Sequence, residues 1–285
     1  MNSTVVRRPL GAWLFGLGVW LALVSPAAPN ARAGLPAMRP PDPATVVPLD
    51  KIGPEHREAV AEVIRDHTLH RKGAPETFPC NPRVYLSLLN EPAITLALWQ
   101  DLATSPVRLR QVGPNRYEGN DGSGASAVWD FVYRSPKLHV LLADLDYNTP
   151  RGNGHLDARI VLIIHSGFYR EVNGEHWVQH DVEAFVKVDS KGWKAVARTL
   201  RPVVEKLLED QVREAGWFVS LMGRLVAAYP NWACQATMSR NEIAADTREK
   251  FRELVVATRR PDAFAGRPTL AESTNANANT ATRNR

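Results

Sequence analysis

A single helical stripe dominates the second half of the sequence. Between Arg201 and Tyr229, apolar side chains fall at Val203, Val204, Leu207, Leu208, Val212, Ala215, Val219, Met222 and Val226. That is the three-and-four spacing of one helix face. Pro202 suits a first turn, where its missing N–H costs nothing, and Pro230 marks the stop. At about 1.5 Å per residue the helix would run roughly 40 Å, enough to cross a domain. The segments before it read as strands, and the spacing predicts a sheet that wraps around the stripe.

Those strands are short at first. Val107 to Val112 leads through the turn Gly113-Pro114-Asn115 into Arg116 to Glu118. The glycine-rich loop GNDGSG follows, then Ala125 to Tyr133, where Ala127, Trp129, Phe131 and Tyr133 share one face. Ser135-Pro136-Lys137 turns the chain into Leu138 to Tyr147. Ala158 to Tyr169 is apolar on both faces, as a central strand should be. Asn173-Gly174 is a hairpin signal. The return strand, His176 to Val188, sets Val178, His180, Val182, Ala184 and Val186 against Gln179, Asp181, Glu183 and Lys187, with Phe185 as the exception. The alternation predicts a curved antiparallel meander with one wet face.

Ahead of the sheet, Gly34 to Pro54 carries five prolines between Pro36 and Pro48 and reads as an extended linker. Glu55 to His70 is expected to be a helix, Gly73 to Pro82 a loop, and Asn81 to Leu102 two helical pieces divided at Pro92. One domain is expected over residues 55–240. A further helix is expected within 241–260, and a disordered tail over 261–285 ending in the low-complexity run STNANANTATRNR.

The first 33 residues read as a secretory signal peptide. Arg7 and Arg8 precede an uncharged run from Leu10 to Val24, and Ala31-Arg32-Ala33 is a small-x-small cleavage site. An uncleaved anchor is the alternative, but the run is short for a bilayer span of about 20 residues. Cleavage predicts a chain beginning at Gly34 in the periplasm, the cell envelope or outside the cell. It also removes Arg7, Arg8 and Arg32, so the formal charge of +5 falls to +2. The last stretch, with Arg259, Arg260, Arg267, Arg283 and Arg285, is rich in arginine, so the high pI reflects the chain ends and is no nucleic-acid footprint. Cys80 and Cys234 are an even pair in an oxidising compartment, which permits one disulfide; two unpaired buried thiols are the alternative.

Short helices, an antiparallel meander and a long carboxy-terminal helix resemble the helix-grip fold of the START/Bet v 1-like superfamily (SRPBCC, or polyketide cyclase/dehydrase-like). The residues that carry the resemblance are YEGNDGSGASAVWDFVY (Tyr117 to Tyr133), the strands around Asn173-Gly174, and WKAVARTLRPVVEKLLEDQV (Trp193 to Val212). The resemblance implies an α+β domain, its curved antiparallel sheet wrapped around the long helix, with an extra amino-terminal helix here. It also implies a cavity between sheet and helix that holds an apolar ligand such as a lipid, sterol or polyketide. The expected lining is Trp129, Phe131, Tyr133, Tyr147, His180, Val204, Leu208, Val212 and Val219. Gly216 and Gly223 would let the helix approach closely or yield as a gate.

Catalytic chemistry has weaker roots. His165, His176 and His180 match no metal-ligand spacing, so no metal and no cofactor are expected. Asp130, Asp144, Asp146 and Asp157 could supply an acid–base pair, but solvated strand faces explain them as well. GNDGSG lacks the Lys-Ser/Thr and helix of a phosphate loop, and no G-x-S-x-G elbow occurs. The expectation is an exported, non-catalytic protein that binds a hydrophobic small molecule or lipid, with contact to a membrane surface left open and no nucleic-acid partner. A cyclase- or hydrolase-type enzyme using a carboxylate or His180 in the same cavity, and a structural envelope protein with a filled core, are the alternatives.

Overall fold

A computed structural model describes residues 41–103, 105–122, 124–148, 155–188 and 217–258. The expected signal segment, the residues from 259 on, and residues 189–216, with Val204, Leu208, Val212 and Gly216 of the expected long helix, lie outside the described residues.

The described chain opens with α1 (Pro43–Val46), a 3-10 turn at Leu49–Lys51, and α2 (Pro54–Arg65). Strands β1 (Leu69–Lys72) and β2 (Glu76–Pro79) precede α3 (Pro82–Asn90) and α4 (Pro92–Leu102). Six strands follow: β3 (Arg108–Gly113), β4 (Arg116–Asn120), β5 (Ala125–Ser135), β6 (Leu138–Asn148), β7 (His155–Arg170) and β8 (His176–Val188). Helix α5 (217–228) covers the described part of the expected long helix, and α6 (Pro230–Met238) and α7 (Ala245–Ala257) complete the described residues.

Prolines place the helix starts. Pro54, Pro82, Pro92 and Pro230 each occupy a first-turn position, where their lack of an N–H is harmless. Asn81 caps α3, its side chain accepting from the Arg83 N–H. Pro230 does end α5 as expected, but it also starts α6, a helix the periodicity did not single out.

All described strands form one antiparallel sheet. The order is β1-β8-β7-β6-β5-β4-β3, with β2 also paired to β8. The first strands therefore lie beside the last, and β3 to β8 form the expected meander. Gly174, at φ +86, turns β7 into β8, and Asn173 Oδ1 accepts from the Glu175 N–H at 2.8 Å. Strands β1 and β2 correct the expectation of helix end and loop. They are four residues each, broken by Gly73-Ala74-Pro75, and they are strands because the edge of β8 gives them partners.

The expectation of one wet face is also corrected. One face carries the main core, where Leu145, Ile160, Val178, Val182 and Val186 meet α3, α4, Met222 and Val226 of α5, and α6. The opposite face is covered over its middle: Val60, Val63 and Ile64 of α2 pack on Val140, Leu142, Val161, Ile163 and Phe185. Val47 and Ile52 of the supposed linker join that second core. Phe185 broke the alternation because α2 lies above it. Beyond α2 the same face is charged, with Arg159–Asp144 at 2.8 Å and Lys187–Glu62 at 2.5 Å.

Gly223 settles one of the two roles expected of the helix glycines. A Cβ there would come within 3.0 Å of Phe78 and 3.2 Å of the Cys80 sulfur. It permits close approach of α5 to β2. Cys80 is thus buried under α5, while Cys234 sits partly buried on α6, and the two sulfurs are not joined as a disulfide. No helix among the described residues is long and apolar enough to cross a membrane.

Candidate functional site

The face of the sheet that α5 covers is the concave, gripping surface, and its apolar wall holds two polar points. The first lies at β7 and β8. Ser166 and His180 are directly opposed across the ladder, both buried. Tyr85 reaches down from α3 and its hydroxyl meets Ser166 Oγ at 2.8 Å and His180 Nδ1 at 3.2 Å. The Phe78 ring stands edge-on to the imidazole with centroids 5.3 Å apart. Burial pushes the Tyr85 phenol well above its ordinary range, so it stays protonated and works as a neutral hydrogen-bonding group.

The second polar point lies at the far end of β5 and β6. Tyr117 stacks near Trp129 and meets Phe131 edge-on, with Leu96 and Val107 closing this aromatic corner. The register of β5 against β6 shifts between Phe131 and Tyr133. This bulge turns Tyr133 to the α2 side, where it packs on the second core. Tyr133 is therefore not a wall of the concave face. Arg134 takes the inward place instead, its guanidinium 3.8 Å from the Phe131 centroid and its backbone paired with His139. His139 is buried, and its Nε2 lies 3.2 Å from Asn90 Oδ1. Desolvation, helped by the Arg134 charge, pulls the His139 pKa down to about 4, so the ring is neutral near pH 7.

Of the other expected lining residues, Tyr147 is buried beside Ala125 and Leu145 on the same face, and Val219 of α5 belongs to the same core. The structure thus puts Trp129, Phe131, Tyr147 and His180 on one sheet face, with Val219 in the α5 layer packed against it. It does not gather them around one point: His180 sits at the β8 side and Trp129 and Phe131 at the β5 side.

Concavities on the described surface include a cleft, a groove and a trough. A cleft of about 370 Å³ lies between Cys80, Asn81, the hairpin turn at Asn173–His176, and Val226, Pro230 and Val255. A groove of about 700 Å³ runs between α3 and α7, with Leu86, Asn90 and Glu91 on one wall and Phe251 and Leu254 on the other. A shallow trough of about 630 Å³ borders Glu62, Asp144, Asp146, Asp157 and Arg159 on the α2 side.

The candidate carboxylates are on that outer side. Asp130 pairs with Arg116 at 3.0 Å and Asp144 with Arg159. Asp146 and Asp157 oppose each other across the β6–β7 ladder, and His155, which the sequence did not single out, lies between them. Its Nε2 is 3.0 Å from Asp157 and its Nδ1 3.8 Å from Asp146. The ligand atoms of these three residues lie within 4.8 Å of one another, the one described group with metal-holding geometry. The imidazole hydrogen-bonds Asp157 through Nε2 and Asn148 Oδ1, at 3.2 Å, through Nδ1, so both ring nitrogens already have partners. The three histidines of the hairpin do not converge: His165 faces Asp181 at 3.3 Å on the outer side, His176 lines the small cleft, and His180 points inward.

No family model and no curated protein sequence matches the chain. Solved structures do align with it. A conserved protein from Geobacillus kaustophilus shares 17% identity over 53% of this chain and 95% of its own, at a TM-score of 0.35. Ara h 8.0201 shares 12% over 50% and 96%, at 0.27, and the di-domain ARO/CYC BexL of the BE-7585A biosynthetic pathway shares 16% over 59% and 56%, at 0.30. At such scores these likenesses carry no weight beside the chain's own topology. That topology is a helix-grip fold: first and last strands adjacent, two short helices after the first strands, a six-strand meander, and a helix on the concave face.

Proposed function

We propose that the protein is an exported carrier that holds a lipid-like apolar molecule against the concave face of its sheet. The observation that supports this reading is the make-up of that face. It is a broad apolar wall, with small side chains at Ala125, Ala127, Ala143, Ala158 and Ala184 between large ones, and two embedded polar points among the described residues. Small-molecule sites have this composition: apolar area supplies affinity and a few polar groups fix orientation. Export follows from the amino-terminal segment Arg7 to Ala33 and puts such a ligand in the cell envelope or beyond.

The enzyme alternative keeps one specific support, the buried His180 hydrogen-bonded to Tyr85. The carboxylates that would have served it lie on the outer face, paired with Arg116, Arg159 and His155. A carrier uses the same Tyr85–Ser166–His180 cluster as a fixed polar contact.

Titration with the neutral apolar dye Nile red tests the carrier. Saturable binding near one-to-one, weakened at least about tenfold by Ala127→Trp, is the expected result for a site limited by space on the concave face. Dye binding that is unsaturable or indifferent to Ala127→Trp contradicts it.

A further inference from the structure

The second polar point is electrostatically unfinished. Arg134 stands on the concave face only because the β5 bulge puts it there, directly opposite His139. Its guanidinium lies on the Phe131 ring at 3.8 Å, close enough to the Tyr117 phenol for its charge to act on it. Its Nε and Nη2 atoms are shut off from solvent and take no hydrogen-bond partner among the described residues, and neither does His139 Nδ1. Nε and Nη2 form the edge along which an arginine grips a carboxylate with two parallel bonds. Arg134 is half-buried, so a guanidinium edge closed to solvent without a hydrogen-bonded counter-ion carries part of the cost of a buried cation, and a ring face offsets only some of it.

The surroundings say what is missing. His139 is neutral and cannot act as the counter-ion. Glu91, at the elbow between α3 and α4, feels the Arg134 charge, yet no hydrogen bond joins them among the described residues. Asn90, whose side chain holds His139 Nε2, and Glu91 form the inner wall of the groove between α3 and α7. That groove, with Leu86, Phe251 and Leu254 beside it, leads from solvent to the elbow.

We propose that the Arg134 Nε–Nη2 edge, with His139 beside it, is the seat for the carboxylate of the ligand, which makes the ligand an apolar carboxylic acid. This rests on the carrier reading above and names its ligand class. The head of the acid lies at the α3–α4 elbow and its tail follows the aromatic corner of Tyr117, Trp129 and Phe131. The acid supplies the hydrogen-bonded carboxylate that Arg134 lacks among the described residues.

The test compares two ligands of equal tail length, hexadecanoic acid and hexadecanol, by displacement of Nile red from the chain beginning at Gly34. The acid should bind at least about tenfold more tightly than the alcohol, as hydrogen bonds to a charged group imply. Arg134→Gln should bring that ratio close to one. Carbon-13 NMR of carboxyl-labelled hexadecanoic acid bound to the unaltered protein gives an independent reading, with the bound carboxyl titrating below the free acid. Equal affinities for acid and alcohol, or a bound carboxyl that titrates like the free acid, overturn the proposal even if Arg134→Gln does not fold. A ratio that survives Arg134→Gln overturns it too. Failure of both ligands to bind removes the carrier reading and this inference together, whereas equal binding removes the inference alone.

Discussion

The His70 imidazole lies nearly parallel on the Phe185 ring, with centroids 4.3 Å apart, on the face of the sheet away from α5. Phe185 is buried there beneath α2, against Val161, Ile163 and Val63. The stack ties β1, the edge strand, to β8 and shows that the sheet is packed on both sides. Removing the ring leaves a cavity at the centre of the second core. Phe185→Ala should therefore cost about 3–5 kcal/mol in urea unfolding, close to a full-sized core truncation. A cost under about 1 kcal/mol would mean that α2 is only loosely applied to the sheet.

The Tyr85 hydroxyl serves two buried partners, Ser166 and His180. Tyr85→Phe keeps the ring and strips both of that contact, so the expected loss is about 1–3 kcal/mol. Ser166→Ala alone should cost less, since Tyr85 keeps His180. A double-mutant cycle should show the two changes coupled, by at least about 0.5 kcal/mol. Strict additivity would separate the two hydroxyls.

Acid should weaken the fold in two separable stages. His139 has a folded pKa of about 4 against an ordinary 6.5, because burial and Arg134 disfavour its charged form. The unfolded chain accepts this proton first, so stability falls as pH drops from about 6.5 towards 4, by roughly 3 kcal/mol in all. Glu183 acts lower down. Its carboxylate is held below the usual range chiefly by the hydrogen bond from His70. Its contribution is present above the unfolded carboxylate pKa and is lost as pH falls through the lower folded value. His139→Gln should flatten the upper stage of a stability–pH curve and leave the lower one. An unchanged slope between pH 6.5 and 4 would mean that His139 takes up its proton in the folded state.

Gly124 sits at φ +118, and a Cβ there would lie 2.2 Å from the Asn148 carbonyl oxygen. Gly124→Ala should destabilise by at least about 1–3 kcal/mol through backbone strain, before any clash is counted. Gly113→Ala, whose added Cβ meets only the Arg116 Cβ at 3.3 Å, should cost distinctly less. Thermal unfolding of the two variants side by side checks the ranking.

What the sequence made legible was local. The turn at Asn173-Gly174, the span of β8 from His176 to Val188, and the division of α3 from α4 at Pro92 all depend on neighbouring residues, and the structure has them as read. His180 was legible as inward-facing from alternation alone. β1 and β2 were not legible, because four-residue strands interrupted by Pro75 exist only through their pairing with β8. Alternation alone puts Tyr133 on the wrong face, because a bulge leaves no mark in a two-residue period. The same bulge hid Arg134, which lay just past the expected end of its strand. Tyr85 was read as one apolar residue of a helix face; its hydroxyl role needs Ser166 and His180 from strands some 80 to 95 residues away.

The carrier function turns on whether the concave face holds an apolar molecule. Native mass spectrometry of the chain from Gly34, purified from an exporting host and followed by lipid extraction, tests this most directly. The predicted result is a complex near one-to-one with an extractable apolar compound. A protein that emerges empty, and that takes up neither hexadecanoic acid nor hexadecanol when these are supplied, would contradict it.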